Sequence, residues 1–413
     1  MITVGLDFGT HQSKVCLEFK EGAELHYKFL KFKDSFDKEQ YTLPSIIHVK
    51  NDGCLDYGYI QPSQEGEIIR YFKQATFTKS ESTIKQQDAI YYSIWYLAFI
   101  IFDLEDLYGQ EFAIQIGVPT DGAHYNQQKS LAVRLILSAY KLVEEVFNNN
   151  KDQFLRTPLL ELIDMTEILP YNKEKKEEYS ILVFPEAYAC LMPLVNSAKI
   201  ATGMSLMVDI GGGTTDISFF TINEGQPQVY DFYSISKGLN FLTDAESLSK
   251  ERIDSKIQHE KSILFEKKDI FKSEINRVHN RLIARLKHEF SLQCKLDVHR
   301  LTDALKSRPI IYSGGGSTFQ TLRLIYGGFK DIIHISEKEW KTESVSEINR
   351  IKALGLCPIL STAYGLSISV PDDNIRCEPF REIFVNIREA DNVTAVDNHN
   401  NSFSYYDDYD AWK

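Results

Sequence analysis

Two short stretches combine carboxylates, bare backbone and hydroxyls. "LDFGTH", residues 6–11, carries Asp7, Gly9, Thr10 and His11; "VDIGGGTTD", residues 208–216, carries Asp209, Gly211, Gly212, Gly213, Thr214, Thr215 and Asp216. Glycines leave N–H groups open and let the backbone approach an anion closely, which makes a phosphate nest. Threonine hydroxyls add donors. Carboxylates beside a polyanion need a cation between them. Magnesium suits that place, because it takes oxygen ligands, keeps several waters and is held by one or two carboxylates plus phosphate. Asp7 and Asp209 are therefore expected to hold magnesium directly or through its waters. A single such stretch reads equally well as a glycine-rich turn with capping acids. Two of them, about 200 residues apart, point to related halves facing one cleft.

Each stretch needs a strand on either side. "ITVGLDFG" runs into "SKVCLEF", and "SLMVDI" into "DISFF", so both read as a hairpin whose turn holds the glycines. Elsewhere the pattern gives a strand near "LPSIIHV", an aromatic-rich helix over 81–108 and a strand at "FAIQIGVP". A long helix over roughly 123–149 and a helix at "TPLLELIDMTEIL" follow. "SILVF" reads as a strand and "EAYACLMPLV" as a helix. "PIIYSGGGS" is a buried strand running into Gly314, Gly315, Gly316 and Ser317, and "CPILSTAYGLSIS" a small-residue helix. Residues 172–178, "NKEKKEE", read as a solvated loop or helix end.

With 413 residues the chain is too long for one ordinary core. Its formal charge of -12 argues against sequence-independent nucleic-acid binding, which wants clustered lysine and arginine. The 6 cysteines show no CxxC spacing and no accompanying histidines, so reduced buried thiols are expected in place of zinc or disulfides. The longest apolar run, from Tyr91, meets acids within about a dozen residues, short of the about 20 a membrane span needs. The expectation is a cytoplasmic protein with no membrane partner.

These stretches resemble those of the actin, hexokinase and heat-shock-70 ATPase superfamily. "LDFGT" is similar to its first phosphate loop, "VDIGGGTTD" to the second and "YSGGGSTF" to the adenosine loop. "VFPEAYACLMPLV" and "LSTAYGLSIS" are similar to its two connecting helices, and "IGVPTDGAHYNQQ" resembles a heat-shock-70 (DnaK-like) segment. The resemblance covers residues 1 to 370 and implies a two-lobed α/β fold, with duplicated ribonuclease-H-like domains around a nucleotide cleft. Lobe I would be 1–185 with 356–372 returning to it, the first connecting helix 186–203, and lobe II 204–355. A helical subdomain would span about 240–308 and a polar acidic tail 373–413.

The resemblance also implies roles. Glu186 takes the place of an acid that orders the attacking water and the metal, although Pro185 precedes it here where the family has Glu then Pro. Asp216 matches a second loop acid that organises water or supports the loop. Gly9, Thr10, Gly211, Gly212, Gly213, Thr214, Thr215 and Gly238 would line the phosphates. His11 either donates to a phosphate oxygen or is a turn residue facing solvent. Gly314, Gly315, Gly316 and Ser317 would meet the adenosine. Phe319 stands near the place of an arginine that stacks on adenine, and either stacks there or is core. Lys287 and Ser291 keep half of an adenosine-gripping helix pattern, where His288 and Ala284 replace the family's Arg and Glu. The family's phosphate-contacting lysine should fall near Gln61 or Pro62, where none stands; Lys73 is the next downstream.

The implied function is an ATP/ADP-binding, heat-shock-70-like switch with weak magnesium-dependent ATP hydrolysis, working with a protein partner. Only about 40 residues follow the last connecting helix, fewer than the about 50 of a small domain, so a stand-alone ATPase module without a peptide-binding domain is expected. The alternative is an actin-like filament-forming ATPase, for which residues 145–178 offer an assembly surface. A small-molecule kinase would need a catalytic acid over a substrate hydroxyl that the sequence does not offer.

Overall fold

The computed structural model describes residues 2–60, 65–77, 84–119, 124–170, 175–195, 205–223, 226–235, 310–318, 332–334 and 345–372, with isolated positions between 237 and 288. Lys287, Ser291, Phe319, most of the 240–308 segment and the 373–413 tail lie outside them. The protein is mixed α/β with several sheets.

Two five-strand paths share one plan. In the first, β1 (Ile2–Asp7), β2 (Gln12–Glu21) and β3 (Glu24–Phe29) form an antiparallel meander. β4 (Phe112–Val118) then lies parallel against β1, and β5 (Ile181–Pro185) parallel against β4. In the second, β6 (Ser205–Ile210), β7 (Thr215–Asn223) and β8 (Gln226–Ile235) repeat the meander. β9 (Ile310–Ser313) and β10 (Ile332–His334) repeat the parallel pair. The orders are β5-β4-β1-β2-β3 and β8-β7-β6-β9-β10. β4 is buried at every position, as expected of a strand with parallel neighbours on both sides. Its "FAIQIGV" accordingly reads as a nearly unbroken apolar run.

The stretch between β3 and β4 adds a small sheet of Ile46–Lys50, Leu55–Tyr57 and Gly66–Arg70, then helices α1 (Phe72–Phe77) and α2 (Gln86–Tyr108). α2 fills the first core, and its Trp95 Nε1 donates to Thr166 Oγ1 at 2.8 Å. α3 (Tyr125–Lys141) packs beside it and is shorter than the sequence pattern suggests. It loosens into a π-turn at Leu142–Val146, and Asn148 and Asn149 take left-handed φ of 47° and 61° that end it. Asparagine tolerates that conformation better than most residues. Lys175–Glu178 forms one exposed helical turn.

Two helices lie back to back between the sheets. α4 (Glu186–Leu191) starts directly from β5 and packs on the second sheet through Met207, Phe220 and Ile311. Within the expected 186–203 it is α-helical as far as Leu191. Pro193 has no N–H to continue an α-helix, and the chain tightens into a 3₁₀ turn at Met192–Leu194. Residues 196–204 lie outside the described set. α5 (Cys357–Ser367) packs on the first sheet against Cys16, Tyr27 and Phe29, and Ile351 of the preceding helix Val345–Ala353 joins that cluster. Where α5 crosses α4, a Cβ on Gly365 would overlap Ala189 O; where α5 crosses β1, a Cβ on Gly5 would overlap Ala363 O and Ser367 N. The glycines permit both close approaches, and those set how near the two sheets come.

Candidate functional site

The two hairpins place their carboxylates at equivalent points. β1 ends on Asp7, which pairs across the hairpin with Lys14; β6 carries Asp209, which pairs across its hairpin with Asp216. In each the partner is the seventh residue after the aspartate. Lys14 Nζ donates to Asp7 Oδ2 at 2.8 Å. The first turn is held from below: Gly9 N donates to Asp7 O at 3.0 Å, Ser45 Oγ to Gly9 O at 2.6 Å and Ser45 N to His11 O at 2.9 Å. In the second turn Gly211 N donates to Thr214 O at 2.9 Å, and Thr214 Oγ1 reaches Asp216 Oδ2 at 3.4 Å. Thr215 Oγ1 turns instead to Lys237 O at 2.9 Å, bracing the turn from behind. Leu239 N donates to Gly211 O at 3.0 Å, and a Cβ on Gly238 would crowd the Gly211 and Gly212 carbonyls.

The turns meet. A Cβ on Gly212 would lie 2.6 Å from His11 Cβ, and one on Gly213 would lie 2.8 Å from Thr10 Cγ2. His11 is thus packed against the opposite hairpin and is half-buried there. Burial, then the charges of Arg70 and Lys14, lower its pKa to about 4. At neutral pH it is a neutral imidazole that can donate one hydrogen bond.

Behind the turns lies a knot of acids. Burial, then Asp216, Glu186 and Asp7, push the Asp209 carboxyl up to about 8. Burial and Glu186 push Asp216 up to about 6. One oxygen of each, Oδ1, is buried with no hydrogen-bond partner among the described residues. Crowded carboxylates with orphaned oxygens are unfavourable until a cation joins them. Glu186 is the first residue of α4, beside Gly117 of β4. Gly314 takes φ 76° directly after β9, and a Cβ there would strike Asp209 Oδ1 and Ile210 O. The Gly314–Ser317 loop therefore abuts the acid knot. Ser317 points back into its own turn, with Oγ on Gly314 O at 2.8 Å, while Gly315 opens onto Leu239 and Ile359. Behind the loop, Cys190 Sγ donates to Ser313 Oγ at 2.8 Å.

Sequence reading missed two lysines. Lys14 was legible in principle, since a hairpin folded about Gly9–Gln12 pairs it with Asp7. Lys73 was discounted because the expected place lay near Gln61 or Pro62. The strand Gly66–Arg70 precedes α1, and α1 carries Lys73 to Glu186. There its buried Nζ pairs with Glu186 Oε1 and lies 5.8 Å from the Phe8 ring centroid.

The donor set suits magnesium in kind. It is all oxygen, as that ion prefers, and two of those oxygens lack partners. Among the described residues no three acids, histidines or cysteines stand close enough to ligate an ion unaided. A site that draws its remaining ligands from water and phosphate fits this arrangement. No helix among the described residues is long and apolar enough to cross a membrane. In comparisons with known proteins, no family model matches this chain and no curated protein matches it.

Proposed function

We propose that the protein is a two-lobed, actin-like nucleotide switch that binds ATP or ADP with magnesium and hydrolyses ATP slowly. The observation that carries this reading is the contact of the two glycine turns, Gly212 on His11 and Gly213 on Thr10, over a shared knot of Asp7, Asp209, Asp216 and Glu186. The repeated strand order and the pair of helices between the sheets support the same fold.

When bound, magnesium would neutralise phosphate charge and join Asp7 and Asp209 to the polyphosphate. The chain's residues supply the rest. Gly212 and Gly213 offer backbone N–H groups, Gly9 and Gly211 close their own turns with theirs and leave the backbone bare for a close approach, and Thr10 and Thr214 offer hydroxyls. Glu186 and Asp216 are the acids placed to orient an attacking water and accept its proton. Lys73 holds Glu186 in place and is the cation nearest that acid, so it can meet charge developing on the transferred phosphate. Two lobes held by contacts to one triphosphate relax when its end is lost, which is how such a cleft would signal to a protein partner.

Calorimetry with magnesium-ATP and single-turnover phosphate release test the reading. Binding with a slow release step is expected, and absence of nucleotide binding overturns it. Lys73→Met should lower turnover about 10²- to 10³-fold while changing ATP affinity far less, measured as kcat against Kd. A second reading, a filament-forming ATPase of the same fold, is favoured by one observation. Leu160 and Ile168, on and just after the helix Leu159–Glu167, are 74% and 80% exposed. Sedimentation with ATP separates the two readings: polymer supports the second, persistent monomer the first.

A further inference from the structure

Among the described residues near the two turns, Arg70 is a cation that nothing so far employs. Lys14 is neutralised by Asp7, Lys73 by Glu186 and Lys237 by Glu274. The Arg70 side chain forms no ion pair or hydrogen bond among the described residues. The residue ends the strand Gly66–Arg70 and pairs in register with Ile46. Ile46 follows Ser45, whose N–H and hydroxyl hold His11 O and Gly9 O. Arg70 thus lies one strand from the first phosphate turn. The next residue, Tyr71, has φ 62° and swings the chain into α1, three residues from Arg70 to Lys73. Phe72, between them, packs on Phe8 at a centroid distance of 6.1 Å. Arg70 is half-buried, and its charge is felt at His11 of the first turn.

Resting on the reading above, we propose that Arg70 is a phosphate-contacting residue, which takes the outermost phosphate of a nucleoside triphosphate and makes the site prefer tri- over diphosphate. The chemistry is that of a planar fork with several donors meeting a terminal phosphate that carries more charge and more free oxygens than an inner one. Its charge already acts on His11, which lines the same turn. Lysine at this place would keep the charge and lose the paired geometry.

Nucleotide affinities of the full chain, with magnesium, test this for wild type, Arg70→Ala and Arg70→Lys. ATP affinity should fall about tenfold or more in Arg70→Ala, ADP affinity should change less, and Arg70→Lys should lie between. Independently of any ligand, NMR titration of His11 in nucleotide-free Arg70→Ala should show its pKa moved upward, because a neighbouring positive charge is gone. Equal loss of ATP and ADP affinity, or unchanged affinities with an unmoved His11, overturns the assignment to Arg70. Wild-type protein that binds neither nucleotide overturns the functional reading itself and the phosphate assignment with it.

Discussion

Asp209→Asn should slow magnesium-ATP turnover about 10²-fold or more and, in the nucleotide-free protein, raise thermal stability at alkaline pH. The two effects share one cause. Asp209 is pushed up to about 8 by burial and by three neighbouring acids, so its ionised form is disfavoured in the fold. The folded state therefore holds this proton where an unfolded aspartate, near about 4, has released it. Stability from this group is undiminished below about pH 4 and is lost as pH rises toward and through about 8. Asparagine has the same shape and no charge to lose. Its advantage in melting temperature should be absent at pH 4, appear through neutrality and level off above pH 8, reaching about 2 kcal/mol or more. On the proposed reading magnesium would reverse the preference, because it favours the ionised carboxylate and must displace the proton. Magnesium-dependent ATP affinity of the wild type should accordingly rise from pH 6 to 8, and that slope should shrink in Asp209→Asn. Adenine-nucleotide binding itself should survive the substitution. A variant that melts earlier at pH 8 than wild type would mean that Asp209 is a structural ion-pair partner and not a crowded acid awaiting a cation.

The two hairpins were legible because each signal is local. A strand that stops at an aspartate, turns through glycine and resumes can be recognised within about 15 residues, and its duplication points to two halves. The strands of "FAIQIGV" and "ILVFP" were legible for the same reason, as short apolar runs with breakers on either side. What escaped depended on distance along the chain or on one competing residue. Lys73 reaches Glu186 only because the strand Gly66–Arg70 and the left-handed Tyr71 aim α1 at that acid, and no local spacing encodes that. The acid knot draws Asp7, Glu186, Asp209 and Asp216 from four separate elements. The raised pKa values of Asp209 and Asp216 follow first from burial, which sequence reports poorly. The side of the turn His11 takes was open until Gly212 was seen packed against it. The α4 helix gives way to a 3₁₀ turn because Pro193 overrides the apolar pattern that continues past it.

Gly365→Ala pits two known magnitudes against each other. In a helix interior alanine is favoured over glycine by about 1 kcal/mol, so propensity alone predicts a more stable protein. Gly365, however, lies where α5 meets α4, and an added Cβ would overlap Ala189 O, with Pro193 Cδ one turn further along the same segment at 3.2 Å. The obstacle is backbone and a ring, neither of which can rotate away. The helices must separate, and overpacking of this kind costs about 1–3 kcal/mol, at times more. We expect the clash to win, with a net loss of about 2 kcal/mol in urea unfolding. Gly22→Ala is the comparison: its φ is 62° with nothing within 4 Å, so it bears only the left-handed penalty of about 1 kcal/mol. The larger consequence lies at the cleft. α4 packs on the second sheet and α5 on the first, so widening their crossing parts the two hairpins whose turns touch at Gly212–His11 and Gly213–Thr10. Gly365→Ala should therefore weaken ATP binding at temperatures where the protein is still fully folded, although the residue lies in the helix pair and not in either turn. Loss of stability with wild-type nucleotide affinity would show that the crossing supports the core without setting the spacing of the turns.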